Sequence, residues 1–164
     1  MNDNIDLNKL PPDVKKEFMK YALKLSEKKT KSKVYDDFLT FVKHVWPEFI
    51  EGDHHKIIAE KFNRLARGEV KRLIINMPPR HTKSEFASNL LPAWMIGRKP
   101  NLKIIQTTHT TELAVRFGRK AKTLIDSPEY QQVFQTRLRE DSQAAGKWET
   151  EQGGEYYAAG VGSA

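Results

Sequence analysis

An apolar, β-branched run, Arg72-Leu73-Ile74-Ile75-Asn76-Met77, is halted by Pro78-Pro79, and shortly afterwards Lys83-Ser84 opens a helix-patterned stretch. Proline has no N–H to give a strand ladder, so the run predicts a buried strand that must end there and turn into a loop. Ser84 to Ile96 then predicts a helix, softly broken at Pro92 and ended by Gly97. A strand, a tight loop and a helix in that order leave the unpaired N–H groups of the first helical turn, and the positive end of the helix dipole, facing the loop. Lys103-Ile104-Ile105-Gln106-Thr107 predicts a second strand, and Thr110-Thr111-Glu112 opens a long helix through Leu124 and Ile125. Strand, helix, strand, helix is the order of a parallel α/β sheet with right-handed crossovers.

The flanking segments are different in kind. Pro11-Pro12-Asp13 starts a helix in which Val14, Phe18, Ala22 and Leu25 recur at near-helical spacing. Ser26-Glu27-Lys28-Lys29-Thr30-Lys31-Ser32-Lys33 breaks that pattern and predicts a basic linker, so residues 1–33 read as a helix plus linker and residues 34–164 as the body. Val34, Phe38, Phe41, Val42 and Val45 form a second apolar stripe ended at Pro47. A third helix is expected from His54 to Ala66, stopped by Gly68. Beyond the long helix, Ser127-Pro128 starts a short helix around Tyr130 and Phe134, and Arg137 to Gly146 is a polar stretch. Lys147–Thr150 and Tyr156–Ala159, about Gly153-Gly154, predict a hairpin.

Composition narrows the function classes. With 164 residues the chain suits one domain, and the absence of cysteine excludes a disulfide framework or a cysteine zinc site. No apolar run approaches the roughly 20 residues that cross a bilayer, and Met1–Leu10 is mixed polar, so neither an anchor nor a signal peptide is expected. Lys and Arg number 28 against 21 Asp and Glu, a formal charge of +7, which points to a polyanion such as nucleic acid or nucleotide phosphate. Solvated surface lysines are the plain alternative.

Met77 to Glu85 carries the candidate chemistry. Where a helix start follows a strand, backbone N–H groups point at phosphates, a lysine reaches the β/γ oxygens, and a hydroxyl directly after it ligates Mg²⁺. Lys83 and Ser84 stand in that relation. The common G-x-x-x-x-G-K-[ST] pattern is not matched, because Met77 and Thr82 occupy its glycine positions. A threonine at 82 carries a condition: φ there stays negative, or nucleotide binding fails. The competing interpretation is an ordinary helix start with a solvated Lys83, beside exposed Arg80 and His81.

The wider stretch resembles the large terminase subunit of tailed bacteriophages, the ATPase that drives DNA into procapsids. Lys71 to Glu85, with Pro78-Pro79-Arg80-His81-Thr82-Lys83-Ser84 at its centre, is similar to that family's variant phosphate loop, in which Thr82 is tolerated. The likeness continues through Thr111-Glu112-Leu113-Ala114, Arg116-Phe117-Gly118-Arg119, Ser127-Pro128-Glu129-Tyr130 and Gly153 to Gly162. Upstream it takes in Gly52-Asp53-His54-His55 and Ala66-Arg67-Gly68-Glu69, so roughly residues 34–162 are covered.

The resemblance implies an α/β, parallel-sheet P-loop NTPase core of the RecA/ASCE kind, incomplete and preceded by an N-terminal helical segment. It implies ATP and Mg²⁺ as cofactors, held by Pro79, Arg80, His81, Thr82, Lys83 and Ser84. Lys83 would hold the β/γ phosphates, Ser84 would ligate the metal, and Arg80 would lie near the γ-phosphate. His55 is expected either against the adenine or as a half-buried helix-capping histidine. Thr107, Thr108 and His109 are expected as a polar rim, and Arg116, Arg119, Lys120 and Lys122 as a basic helix face, solvated or against DNA phosphates. Implied partners are double-stranded DNA, the portal protein and the small terminase subunit, in a homo-oligomeric ring on the portal in the cytoplasm of an infected host, with no membrane.

The family's acidic strand, with an Asp for Mg²⁺ and a Glu that activates water, has no counterpart here. Asp126, Glu140, Asp141 and Glu149 lie in other contexts. The family's nuclease carboxylates and a further arginine are also not found, so a fragment that binds nucleotide without hydrolysing it is expected. Two alternatives stand beside it: a non-enzymatic nucleic-acid or protein interaction module with a vestigial loop, and a helicase-type DNA-dependent ATPase.

Overall fold

The computed structural model describes residues 11–161, so Met1–Leu10 and Gly162–Ala164 of the two expected segments lie outside the described residues. Helix α1 runs from Pro12 to Asp36, α2 from Phe38 to Val45 and α3 from Asp53 to Ala66. The expected basic linker at residues 26–33 is instead continuous helix, because lysine and glutamate are good helix formers whether or not an apolar stripe continues. Before Val34, every described residue of α1 is exposed, and Val34 is where the helix first meets the core.

Asp37 separates α1 from α2. Its carboxylate accepts from the Thr40 N–H at 2.7 Å and from Asn63 Nδ2 at 2.8 Å, while Asn63 Oδ1 accepts from the Phe38 N–H. Burial pushes the Asp37 carboxyl up, but the Thr40 and Asn63 hydrogen bonds and nearby Lys43 outweigh it and hold the group below the usual carboxylate range. The same side chain therefore caps α2 and locks it to α3.

The core is aromatic. Phe38 lies fully buried with its ring 5.0 Å from Phe62, 5.4 Å from Phe86 and 5.5 Å from Trp94, each edge-on. Trp94 and Tyr130 satisfy their polar tips on the carbonyls of Val34 and Ala93. Phe41, Tyr130 and Phe134 extend the cluster towards the short helix after Ser127.

The helix after the loop begins at Lys83 and passes through a π-helical segment, Glu85–Leu90, into α4, Leu91–Arg98. The Leu91 N–H reaches back to the Phe86 carbonyl, five residues earlier. Pro92 accounts for the wide turn: its ring clashes with the carbonyl four residues before it, and it has no N–H to give.

Strand β1 (Lys103–Thr108), α5 (Thr111–Ile125), α6 (Pro128–Val133), β2 (Leu138–Ala144), β3 (Lys147–Thr150) and β4 (Glu155–Gly160) complete the described chain. The sheet order is β1-β4-β3-β2. β1 and β4 are parallel, with Lys103 opposite Glu155 and Thr108 opposite Gly160, whereas β4–β3 and β3–β2 are antiparallel. The sheet is therefore mixed, not parallel throughout. The hairpin formed by β3 and β4 is where the sequence places it, with Trp148 stacked on Tyr156. The polar stretch from Arg137 is instead the edge strand β2, whose solvated side carries Arg139 paired with Asp141 and Glu149.

Residues 72–77 depart from expectation. Leu73, Ile75 and Met77 are half-buried against the core while Ile74 between them is 86% exposed, yet the run has no ladder partner among the described residues. Only one face is covered, so the run is not the doubly buried strand its composition predicts. No described helix is long and apolar enough to cross a membrane.

Phe38→Ala is expected to destabilise the chain by about 3–5 kcal/mol, since it empties a fully enclosed aromatic site that α2, α3 and α4 share. The midpoint of urea unfolding measures this, and a loss below about 1 kcal/mol would show that the site collapses freely.

Candidate phosphate-binding loop

Met77 to Glu85 lines an open concavity of about 420 Å³ at the start of the helix. Pro79, Arg80, His81 and Ser84 are exposed on it, and Thr82 and Lys83 are half-buried. The backbone is unusual. Arg80 has φ +63° and Thr82 φ +57°, and these are the non-glycine residues with positive φ among the described residues. His81 and Lys83 keep negative φ, so its sign alternates from Pro79 to Lys83. Backbone that alternates in this sense turns successive N–H groups towards one side and forms a concave anion site.

The condition attached to Thr82 is thus not met: φ is positive there, as in a glycine. A β-branched residue in the left-handed region costs about 1–3 kcal/mol and persists only where its surroundings enforce it. The loop reaches the φ that glycine would give without having glycine, so by the condition set on the sequence the phosphate-loop interpretation loses its support at residue 82. Thr82 nevertheless adopts this conformation, and its side chain is in tertiary contact with α3.

Those contacts form a chain of three hydrogen bonds. The Gly52 N–H donates to His55 Nδ1 at 2.9 Å, so the ring proton lies on Nε2. His55 Nε2 then donates to Thr82 Oγ1 at 2.6 Å, and the Thr82 hydroxyl donates to the His81 carbonyl at 2.7 Å. Each donor and acceptor role in this chain follows from the one before it. His55 is 5% exposed, its ring 4.8 Å from Phe49, 5.0 Å from Phe86 and 3.8 Å from His54. Of the two roles expected for His55, helix capping has its geometry here, and both ring nitrogens are occupied by protein partners.

Thr82 also begins the helix, since the Phe86 N–H donates to its carbonyl at 2.9 Å. Its hydroxyl faces His55 rather than the first turn, and no side chain caps the helix start. The Lys83 and Ser84 N–H groups have no protein acceptor among the described residues. Lys83 Nζ lies 3.4 Å from the Met77 carbonyl, folded back over the loop entrance. His81 donates from Nδ1 to the Pro79 carbonyl at 2.9 Å, tightening the turn that carries Arg80.

The other expected residues divide. Lys120 pairs with Glu85 at 2.7 Å, and Asn89 Nδ2 donates to the second Glu85 oxygen, so this side of the basic face braces the loop helix against α5. Arg116 and Arg119 are exposed on α5. Thr108 donates to the Thr110 carbonyl at the end of β1, and Thr107 and His109 are exposed beside it. Asp126 follows the end of α5, Glu140 and Asp141 lie on β2, and Glu149 lies on β3 bound to Arg139. The described residues contain no cluster of three or more His, Cys, Asp or Glu fit to hold a metal by themselves.

Sequence reasoning flagged His55 and Thr82 separately and missed their bond. Twenty-seven positions separate them, and no local pattern encodes the contact. Gly52 at the start of α3, with the paired histidines His54 and His55 in its first turn, was the available signal. No family model matches the chain, and no curated protein or solved structure matches it.

Burial, with the neighbouring His54, pushes the His55 pKa down, against a weaker upward pull from Glu51. Its folded value lies below the ordinary 6.5, so as pH falls the unfolded chain takes up this proton first. Stability from this group is intact above about pH 6.5 and falls below it, by up to about 1.4 kcal/mol per pH unit. Urea midpoints between pH 7.5 and 5 should therefore fall less steeply for His55→Gln than for the unmodified chain. Equal slopes would contradict a neutral, buried His55.

Proposed function

We propose that this chain is the nucleotide-binding part of a DNA-packaging ATPase of the large terminase kind, built on a P-loop NTPase core. The observation that carries the proposal is the alternating backbone from Pro79 to Lys83 at an uncapped helix start. It coincides with the motif series that resembles that family. An uncapped start supplies unpaired N–H donors and a positive dipole end, and the concavity gives a nucleotide's terminal phosphates a place beside both.

Residue roles follow from position. Lys83 exchanges the Met77 carbonyl for β/γ phosphate oxygens, a better partner for an ammonium group than a neutral carbonyl. Arg80 sits on the exposed rim of the turn, where its charge meets the outermost phosphate. Ser84 offers its hydroxyl on the first helical turn as the protein's ligand to Mg²⁺. The donor set fits a cation carried in by the nucleotide, because the chain contributes one hydroxyl and no carboxylate cluster among the described residues. Bound there, Mg²⁺ offsets phosphate charge. No described carboxylate is assigned as a water-activating base, and Glu85, next to Ser84, is held by Lys120 and Asn89. Binding rather than turnover is therefore assigned to this chain. On the same proposal its partners are double-stranded DNA, a portal and a small subunit, in an oligomeric ring within the host cytoplasm.

A second function has its own support: the lysines of α1 between Lys15 and Lys33 are solvent-exposed along an uninterrupted helix. That surface suits a nucleic-acid backbone without any use of the loop.

Mg·ATP at about a hundred times its dissociation constant should raise the melting temperature by on the order of 5–10 °C. Lys83→Ala should abolish the rise. No rise in the unmodified chain removes the nucleotide proposal. Duplex DNA binding that falls steeply with salt, and is indifferent to both Mg·ATP and Lys83→Ala, favours the second function.

A further inference from the structure

We infer that His55 is a positioning residue for the loop, clamping Thr82 in the left-handed conformation that the anion cradle requires. The inference rests on the nucleotide proposal and names how its site is held in shape.

Three observations on different elements converge. Thr82 occupies a φ that its branched side chain disfavours, so something must hold it there. The side chain that reaches it is the buried His55 of α3, through a 2.6 Å bond with both ends fixed in role. Finally, the Thr82 hydroxyl passes the constraint to the His81 carbonyl. The 81–82 peptide is planar and trans, so fixing its carbonyl fixes its N–H on the opposite side. One imidazole thus sets the orientation of a loop amide without touching the concavity's rim.

Nothing local competes for the role. Gly52 occupies Nδ1, which leaves His55 one proton to offer and one direction to offer it in. Phe49 and Phe86 flank the ring and set its plane. Phe86 lies on the helix that the loop begins, so the clamp and the clamped segment share a buried contact.

The test is a double-mutant cycle between His55→Ala and Thr82→Gly, read by Mg·ATP affinity in calorimetry and by exchange of the Phe86 amide, which donates to the Thr82 carbonyl. Glycine takes positive φ unaided, so Thr82→Gly should make His55 dispensable for the loop. In the threonine background His55→Ala should weaken Mg·ATP about tenfold, which is the loss of a left-handed preference. In the glycine background the same change should cost less than about twofold. Loss of buried ring packing lowers the melting temperature in both backgrounds, so a purely structural His55 would weaken affinity equally in both. That equality would overturn the inference.

Amide exchange keeps the test independent of nucleotide. If the unmodified chain binds no Mg·ATP, the nucleotide proposal falls, but His55→Ala should still speed exchange of the Phe86 amide in the threonine background and not in the Thr82→Gly background. Unchanged exchange in the threonine background would overturn the clamp itself. His55→Gln, which keeps an N–H donor on a side chain of similar reach, should recover part of the protection.

Discussion

Phe86 is the contact on which the site depends. It sits four residues past Thr82 in the π-helical turn, fully buried, and its ring meets Phe38 of α2, Phe49 of the connection and His55 of α3. The hydrophobic gain from burying these rings is large and non-directional, while the hydrogen bonds it permits are directional and short. With Phe86 seated, His55 is brought to Thr82, Thr82 is turned to positive φ, and the helix start is left uncapped beside the concavity. The N-terminal helices are therefore part of how the loop gets its shape.

The rest of the fold serves the same end from the other side. Glu85 is the residue after Ser84, and its carboxylate is drawn to Lys120 on α5 and to Asn89 within its own helix. α5 in turn lies close against the turn between β2 and β3 at Gly118, where a Cβ would come to 2.5 Å from the Ala145 carbonyl. The Trp148 indole N–H donates to the Gly118 carbonyl across that approach. Sheet, α5 and loop helix are thereby connected through three close contacts: one steric, one hydrogen-bonded and one ionic. The loop carries no regular structure of its own between Pro78 and Thr82, and the helix it opens is held by the Phe86–His55 contact on one side and the Glu85–Lys120 pair on the other.

How much was legible depends on the range of the interaction. Thr110 and Ser127 as helix starts, the glycine turn between β3 and β4, and the helical faces of α2, α3 and α5 are local patterns, and they can be read from neighbouring residues alone. Residues 26–33 misled because a charge run ended the apolar stripe, whereas helix formation depends on backbone and rotamer entropy rather than on a buried face. β2 was hidden for a related reason: Leu138 to Ala144 lacks an apolar alternation, since its solvated side is held by ion pairs. At residues 72–77 composition indicated burial, but a strand is defined by a neighbour, which no stretch of sequence specifies by itself. The same limit applied to the site. Lys83-Ser84 at a helix start could be read locally; the conformation of Thr82 could not, because the partner that enforces it lies on another helix.

The central claim is that the turn from Arg80 to Ser84 is a phosphate cradle. It is tested most directly by following backbone amide resonances of the chain during titration with Mg·ATP. The largest saturable shifts should fall on the amides of residues 80–84, with the Lys83 and Ser84 N–H moving as hydrogen-bonded donors to phosphate do. Shifts confined to α1, or none at these five amides at millimolar nucleotide, would contradict it.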